Sequence, residues 1–165
     1  MAKGKLVKRN QKVAFYGVPD SAGSKVTYTR MKGFTSLSTS KNAQEYSRHY
    51  VDEAFEESDV IGYSPSMSYA FDQHAGNTVH DDIVKITDEE LTGEDAVRDI
   101  VLVDLTKTSS GSNTYTARKR SFSVIPDSEG DSTDAYTYSG TFKTKGDSVK
   151  GTATIDDSKE TLTFA

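Results

Sequence analysis

His80, Asp81 and Asp82 stand in succession, and with His49 and His74 they are the side chains best suited to metal or acid–base chemistry. A helical metal pair needs ligands three or four residues apart. Four residues on, His80 and Asp81 meet Val84 and Lys85. The spacing therefore favours negative charge at a helix start over a metal site. A second cluster, Asp52, Glu53, Glu56, Glu57 and Asp59, could attract a cation. It lacks the central glycine and alternating oxygen ligands of a calcium loop, and reads as a solvated charged loop. There is no Gly-x-Ser-x-Gly elbow and no phosphate-binding glycine loop, and three scattered histidines support no triad. The absence of cysteine excludes disulfides, thiolate metal sites and a cysteine nucleophile. The expectation is a non-enzymatic chain with no catalytic, cofactor-binding or metal-binding residues.

The elements that would position these residues are mostly short strands around one helix. The helix is expected over roughly Asn77 to Glu90. Asn77 and Thr78 can each cap it, Asp81 and Asp82 fall in its first turn, and Gly93 lies just past its end. Val79, Ile83 and Ile86 recur at spacings of four and three and form one apolar stripe, widened by Val84. Before it, Lys12 to Val18 and Lys25 to Met31 read as early strands or an extended arm, and Phe34 and Leu37 lie in a Ser/Thr-rich stretch to Ser40. Glu45 to Val51 reads as a strand or, with Tyr46 and Tyr50 four apart, a helix, and Ser66 to Asp72 reads as a strand with Met67, Tyr69 and Phe71 facing inward. After it, Ala96 to Leu105 holds Ile100 to Val103 in succession and should be central, covered on both faces. The Ser109 to Asn113 cluster turns it into Tyr115 to Ile125. Pro126 to Thr133 reads as an acidic loop. The strands Ala135 to Thr144, Ser148 to Ile155 and Glu160 to Phe164 complete the chain, the last two joined by a tight turn at Asp156 to Lys159.

The 165 residues suit a single domain with a core that is adequate but not generous. Ser and Thr make 39 residues against 34% hydrophobic, which suits antiparallel strands with one wet face. The net charge is −5 but uneven: residues 1–50 carry +8 and residues 51–165 carry −13. Residues 1–12 read as a flexible basic arm, with little of the aromatic interleaving of a nucleic-acid patch. No signal-peptide run and no segment of bilayer-spanning length is present, so a soluble chain without membrane contact is expected.

The order of elements carries a resemblance. The run Glu45-Tyr46-Ser47-Arg48-His49-Tyr50-Val51-Asp52-Glu53, the run Asp59-Val60-Ile61-Gly62-Tyr63-Ser64-Pro65, then Tyr69-Ala70-Phe71-Asp72 and the helix with Val79, His80 and Ile83 resemble a major tail protein of long-tailed phages or prophages of Gram-positive bacteria. The likeness covers Gly33 to Lys107 well and the C-terminal strands loosely. It implies a tail tube protein: mainly β, two packed antiparallel sheets in a sandwich or partly open barrel, with one flanking helix. Such subunits assemble as stacked hexameric rings, with tape measure and tail terminator proteins as further partners. DNA passes through the lumen without specific binding, and the protein resides in the virion after assembly in the host cytoplasm. Tubes of contractile tails and of type VI secretion share the fold, so the subclass stays open. The acid excess after residue 50 would suit a wall that repels phosphate, or simply a soluble free subunit. A carbohydrate-binding or adhesin-like β-sandwich is the rival; the lack of Trp, the lack of a secretion signal and the capped helix all stand against it.

Overall fold

In the computed structural model, which describes residues 4–165, β1 (Lys12–Pro19), β2 (Val26–Arg30) and β3 (Phe34–Ser40) come first. Next come β4 (Ala43–Arg48), β5 (Glu57–Tyr63), β6 (Ser66–Asp72) and the helix α1 (Thr78–Asp88). The chain then continues through β7 (Val97–Thr108), β8 (Thr114–Glu129), β9 (Thr137–Thr144), β10 (Val149–Ile155) and β11 (Thr161–Phe164). Met1 to Lys3 of the expected basic arm lie outside the described residues. Gly4 to Lys8 run exposed without regular structure. Arg9–Gln11 form a 3-10 turn from which Arg9 donates to the Leu37 carbonyl, 3.0 Å away.

Every strand pairing is antiparallel. The main sheet runs β10-β11-β2-β1-β7-β8-β9-β6-β3, and β10 also pairs with β8. That extra pairing closes β8, β10, β11, β2, β1 and β7 into a six-stranded barrel. The expected sandwich or partly open barrel is corrected to a closed barrel with a branch. The physical reason lies in β8, whose 16 residues serve two partners on one edge: Thr114 to Lys119 pair with β10, and Phe122 to Glu129 with β9. The segment after Ile125 is therefore strand rather than loop. Pro126 is accommodated where the register shifts by a bulge, as a proline inside a sheet requires.

Strand β1 is covered on both sides because its alternation feeds two cores. Phe15 points into the barrel with Val101, Val103 and Ala153, whereas Ala14 and Tyr16 join α1 and the β9-β6-β3 branch on the outside. The expected burial of Ile100, Val101 and Val103 holds, but Leu102 on the outer face is 39% exposed. Met67, Tyr69 and Phe71 are inward as their spacing predicts, and Val79, Ile83 and Ile86 are fully buried against them. Gly140 in β9 faces Tyr69 in β6, where a Cβ would come within 2.6 Å of the Tyr69 hydroxyl and 2.5 Å of the Ile125 carbonyl.

Asn77 alone caps α1, its Oδ1 accepting from Val79 N–H at 3.1 Å and His80 N–H at 3.3 Å; Thr78 is the first helical residue and holds no cap. The helix ends at Asp88, two residues before the expected boundary, because Glu90 turns left-handed (φ 51°). Leu91 N–H then reaches the Ile86 carbonyl and Glu90 N–H the Thr87 carbonyl, the bond pair that closes a helix C-terminus.

In urea unfolding, Ile83→Ala should lose about 2–5 kcal/mol and Asn77→Ala about 1 kcal/mol, with Thr78→Ala losing less than Asn77→Ala. A full-stability Ile83→Ala chain would place the stripe outside the core.

Candidate functional site

His80 is fully buried, and both ring nitrogens are committed. Its Nδ1 accepts the His74 backbone N–H at 3.1 Å, so Nε2 carries the proton and donates to the Lys32 carbonyl at 2.7 Å. Phe71 stacks on the ring at a centroid distance of 4.2 Å. The turn between β2 and β3 is held close to the ring, since a Cβ on Gly33 (φ +77°) would sit 2.9 Å from His80 Cε1. Burial lowers the His80 pKa; the bond to Lys32 opposes this, while the neighbouring His74 adds to it. His80 is thus a neutral tie between helix and loops. The sequence signal for this was its place three residues before Ile83, on the edge of the apolar stripe.

Asp82 also has a role the helix dipole does not describe. Its carboxylate accepts the Tyr16 hydroxyl at 2.5 Å and Arg98 Nε at 2.9 Å, with Arg98 Nη2 at 3.2 Å on the other oxygen. Arg98 and Asp82 side chains are only 12% and 9% exposed. Burial raises the Tyr16 pKa well above that of a free phenol, and the Asp82 charge raises it further. Burial opposes the Arg98 charge, but Asp82 outweighs it and the guanidinium pKa is raised. Helix, β1 and β7 are joined by this one cluster. Neither it nor His80 is open to a substrate. Among the described residues, no group of three or more His, Asp or Glu side chains is placed to hold a metal ion.

The exposed chemistry lies elsewhere. The acidic cluster is not a plain loop: Glu57 and Asp59 belong to β5, which pairs with β4 as a separate two-stranded ribbon. Asn42 (φ 48°) fixes its root by donating to the Ser64 carbonyl and the Ser66 hydroxyl at 3.0 and 3.2 Å. Along the ribbon Ser47 and Ser58 share a 2.8 Å hydrogen bond, and Arg48 donates to the Tyr46 hydroxyl at 2.8 Å. At the tip, His49 Nε2–H donates to the Glu53 carbonyl at 2.8 Å. Every residue from Ala43 to Ile61 is exposed. Val51 is bare, and Phe55 and Ile61 are 83% and 65% exposed. A lone two-stranded hairpin is marginal in water, so this ribbon is a surface in want of a partner.

A second feature is the unpaired outer edge of β3, at the end of the main sheet. Its sequence, Phe-Thr-Ser-Leu-Ser-Thr-Ser, carries no charge to guard it. A third is a groove of about 710 Å³ where β3 and β6 pass the outer face of β1, β7 and β8.

Two predictions concern the buried groups. Because the folded His80 pKa is lowered, the unfolded chain takes up a proton that the folded chain refuses, so stability should fall as pH drops through about 6.5 and go on falling to the folded pKa. His80→Gln should flatten that slope in thermal melts; an unchanged slope would mean another group sets it. Arg98→Ala leaves Asp82 buried without its cation and should cost about 3–5 kcal/mol by denaturant titration.

No protein-family model matches the sequence, and no curated protein matches it either. Among solved structures, a chain of the anti-feeding prophage baseplate, a six-fold symmetrised cryo-EM structure, is similar with a TM-score of 0.52 at 10% identity; the match covers 91% of this chain and 97% of that one. A chain of the anti-feeding prophage cap, the tube terminating cap, has a TM-score of 0.51 at 12% identity, covering 93% of this chain and 95% of that one. At such identity the likeness is one of fold, and its coverage extends over nearly the whole of each chain.

Proposed function

We propose that this chain is a structural subunit of a phage tail, of the tube-forming major tail protein kind, which polymerises as stacked rings around a channel for DNA. The observation that carries the reading is the β4–β5 ribbon, which extends from the domain with apolar side chains on open display. A monomer gains nothing from bare Val51, Phe55 and Ile61; a subunit that buries them against its neighbour gains a contact. The unguarded β3 edge supports the same reading, since an open edge is a template for a strand of another copy. Consistent with it, the similar structures come from a prophage baseplate with six-fold symmetry and a tube terminating cap.

Within this reading the ring is hexameric, the neighbours in the tail include tape measure and tail terminator proteins, and the host is Gram-positive. The protein assembles in the host cytoplasm and ends in the virion. It is not an enzyme, and DNA passes it without specific binding: the excess acid after residue 50 discourages phosphate from adhering to the wall.

Negative-stain microscopy of the concentrated protein should show rings or tubes, and their absence across salt and concentration would overturn the reading. Phe55→Asp should abolish assembly while leaving the melting temperature unchanged. Fluorescence anisotropy with labelled duplex DNA should show no appreciable binding by the assembled form at physiological salt; tight, salt-sensitive binding would contradict a non-stick channel.

A further inference from the structure

We propose that the acidic, apolar tip of the β4–β5 ribbon of one copy docks into the basic-rimmed groove on the outer barrel wall of a second copy. The inference rests on the assembly reading above and names the two surfaces that meet.

The groove is built by register. On the outer face Ala14 lies beside Leu102, Leu102 beside Arg118, and Arg118 beside Lys150, a row crossing β1, β7, β8 and β10. Leu37 and Met67 from the branch complete an apolar floor with Ala14 and Leu102. Leu102 is the exposed member of the most apolar strand, left uncovered at the groove. The rim is cationic: Arg9, Lys12 and Lys107 stand with Arg118 and Lys150 against a single carboxylate. That carboxylate, Asp104, is already engaged by Thr106 N–H at 3.0 Å and Lys12 at 3.8 Å.

The tip is the converse. Asp52, Glu53, Glu56, Glu57 and Asp59 surround Val51 and Phe55, and between Lys41 and Lys85 the sole basic side chain besides His is Arg48. Among the described residues, none of these five carboxylates forms a salt bridge within the chain. Apolar side chains framed by acid thus match an apolar floor framed by base, which is the complementarity that fixes register between partners. The groove volume is within the range that takes a few side chains.

Geometry makes the contact intermolecular. The groove reaches Ser38 and Thr39 beside the ribbon's root, while the tip stands some six strand residues, roughly 20 Å, from that root. Donor and acceptor are different patches of the same chain, so the contact is head-to-tail and repeats into a ring or a filament. Nucleic acid is the other polyanion a basic groove could attract. The apolar floor carries no aromatic ring for bases to stack on, and the tip matches both its charge and its apolarity.

The chain has no cysteine, which allows a clean test. A Phe55→Cys chain mixed with a Leu102→Cys chain, or with Lys150→Cys should Leu102→Cys fold poorly, is oxidised mildly. Because a disulfide needs Cα atoms within about 7 Å, the mixed disulfide should exceed by about tenfold that formed with a Tyr136→Cys chain, whose site is exposed elsewhere. High salt should abolish the excess. Arg118→Glu with Lys150→Glu in the acceptor should do the same, and Glu53→Lys with Glu56→Lys in the donor should restore it. Yields equal to the Tyr136→Cys control, or indifferent to charge reversal, overturn the proposal, as does duplex DNA binding that vanishes with Arg118→Glu while the disulfide stays at control level. Rings without the selective disulfide sink this contact and leave the tube reading standing; the selective disulfide without rings does the reverse.

Discussion

The fold depends on one strand belonging to two sheets at once. β8 runs the length of β7 on one edge and divides its other edge between β10 and β9. Its first half closes the barrel, and its second half carries the branch on which the helix rests. Were β8 half as long, either the ring of six or the β9-β6-β3 wall would be lost. The arrangement also forces β1 and β7 to be apolar on both faces, because one face lines the barrel and the other supports α1. Closure removes the edges that an open sheet of nine strands would present, leaving the β3 edge at the end of the branch.

Two polar devices hold the layers in register where apolar packing alone would allow sliding. The Asp82 cluster fixes the helix against β1 and β7, and three hydrogen bonds from Tyr16 and Arg98 leave the carboxylate well satisfied despite burial. His80 fixes the other side of the same helix turn to the backbone of the preceding loops. Hydrogen bonds with fixed directions select one placement of a helix that hydrophobic contact would accept in several.

Much of this was legible in the residues. Ser66 to Asp72 alternates so regularly that its inward face followed directly, and the stripe of Val79, Ile83 and Ile86 marked both the helix and its buried side. The β7–β8 hairpin was announced by the Ser/Gly cluster at its turn. What was not legible is non-local or solvated. β5 carries acid at one end, apolar residues at the other and almost no burial, so no periodicity distinguishes it from a loop. Barrel closure depends on Arg118 meeting Lys150, a pairing no local pattern records. The Asp82 partners come from β1 and the start of β7, and the groove from residues scattered over six strands, so both exist only once the chain has folded.

The closing strands come late in the chain: β11 pairs back onto β2, with Leu162 opposite Tyr28. During synthesis, the ribbon is complete once Tyr63 has emerged, whereas the wall holding Lys150 waits for the final strands to return. Non-local closure of this kind is slow compared with forming a hairpin. A nascent chain therefore displays its projecting ribbon well before it possesses a finished groove. Any contact that needs both the ribbon and the finished groove is therefore open only to chains whose barrels have already closed.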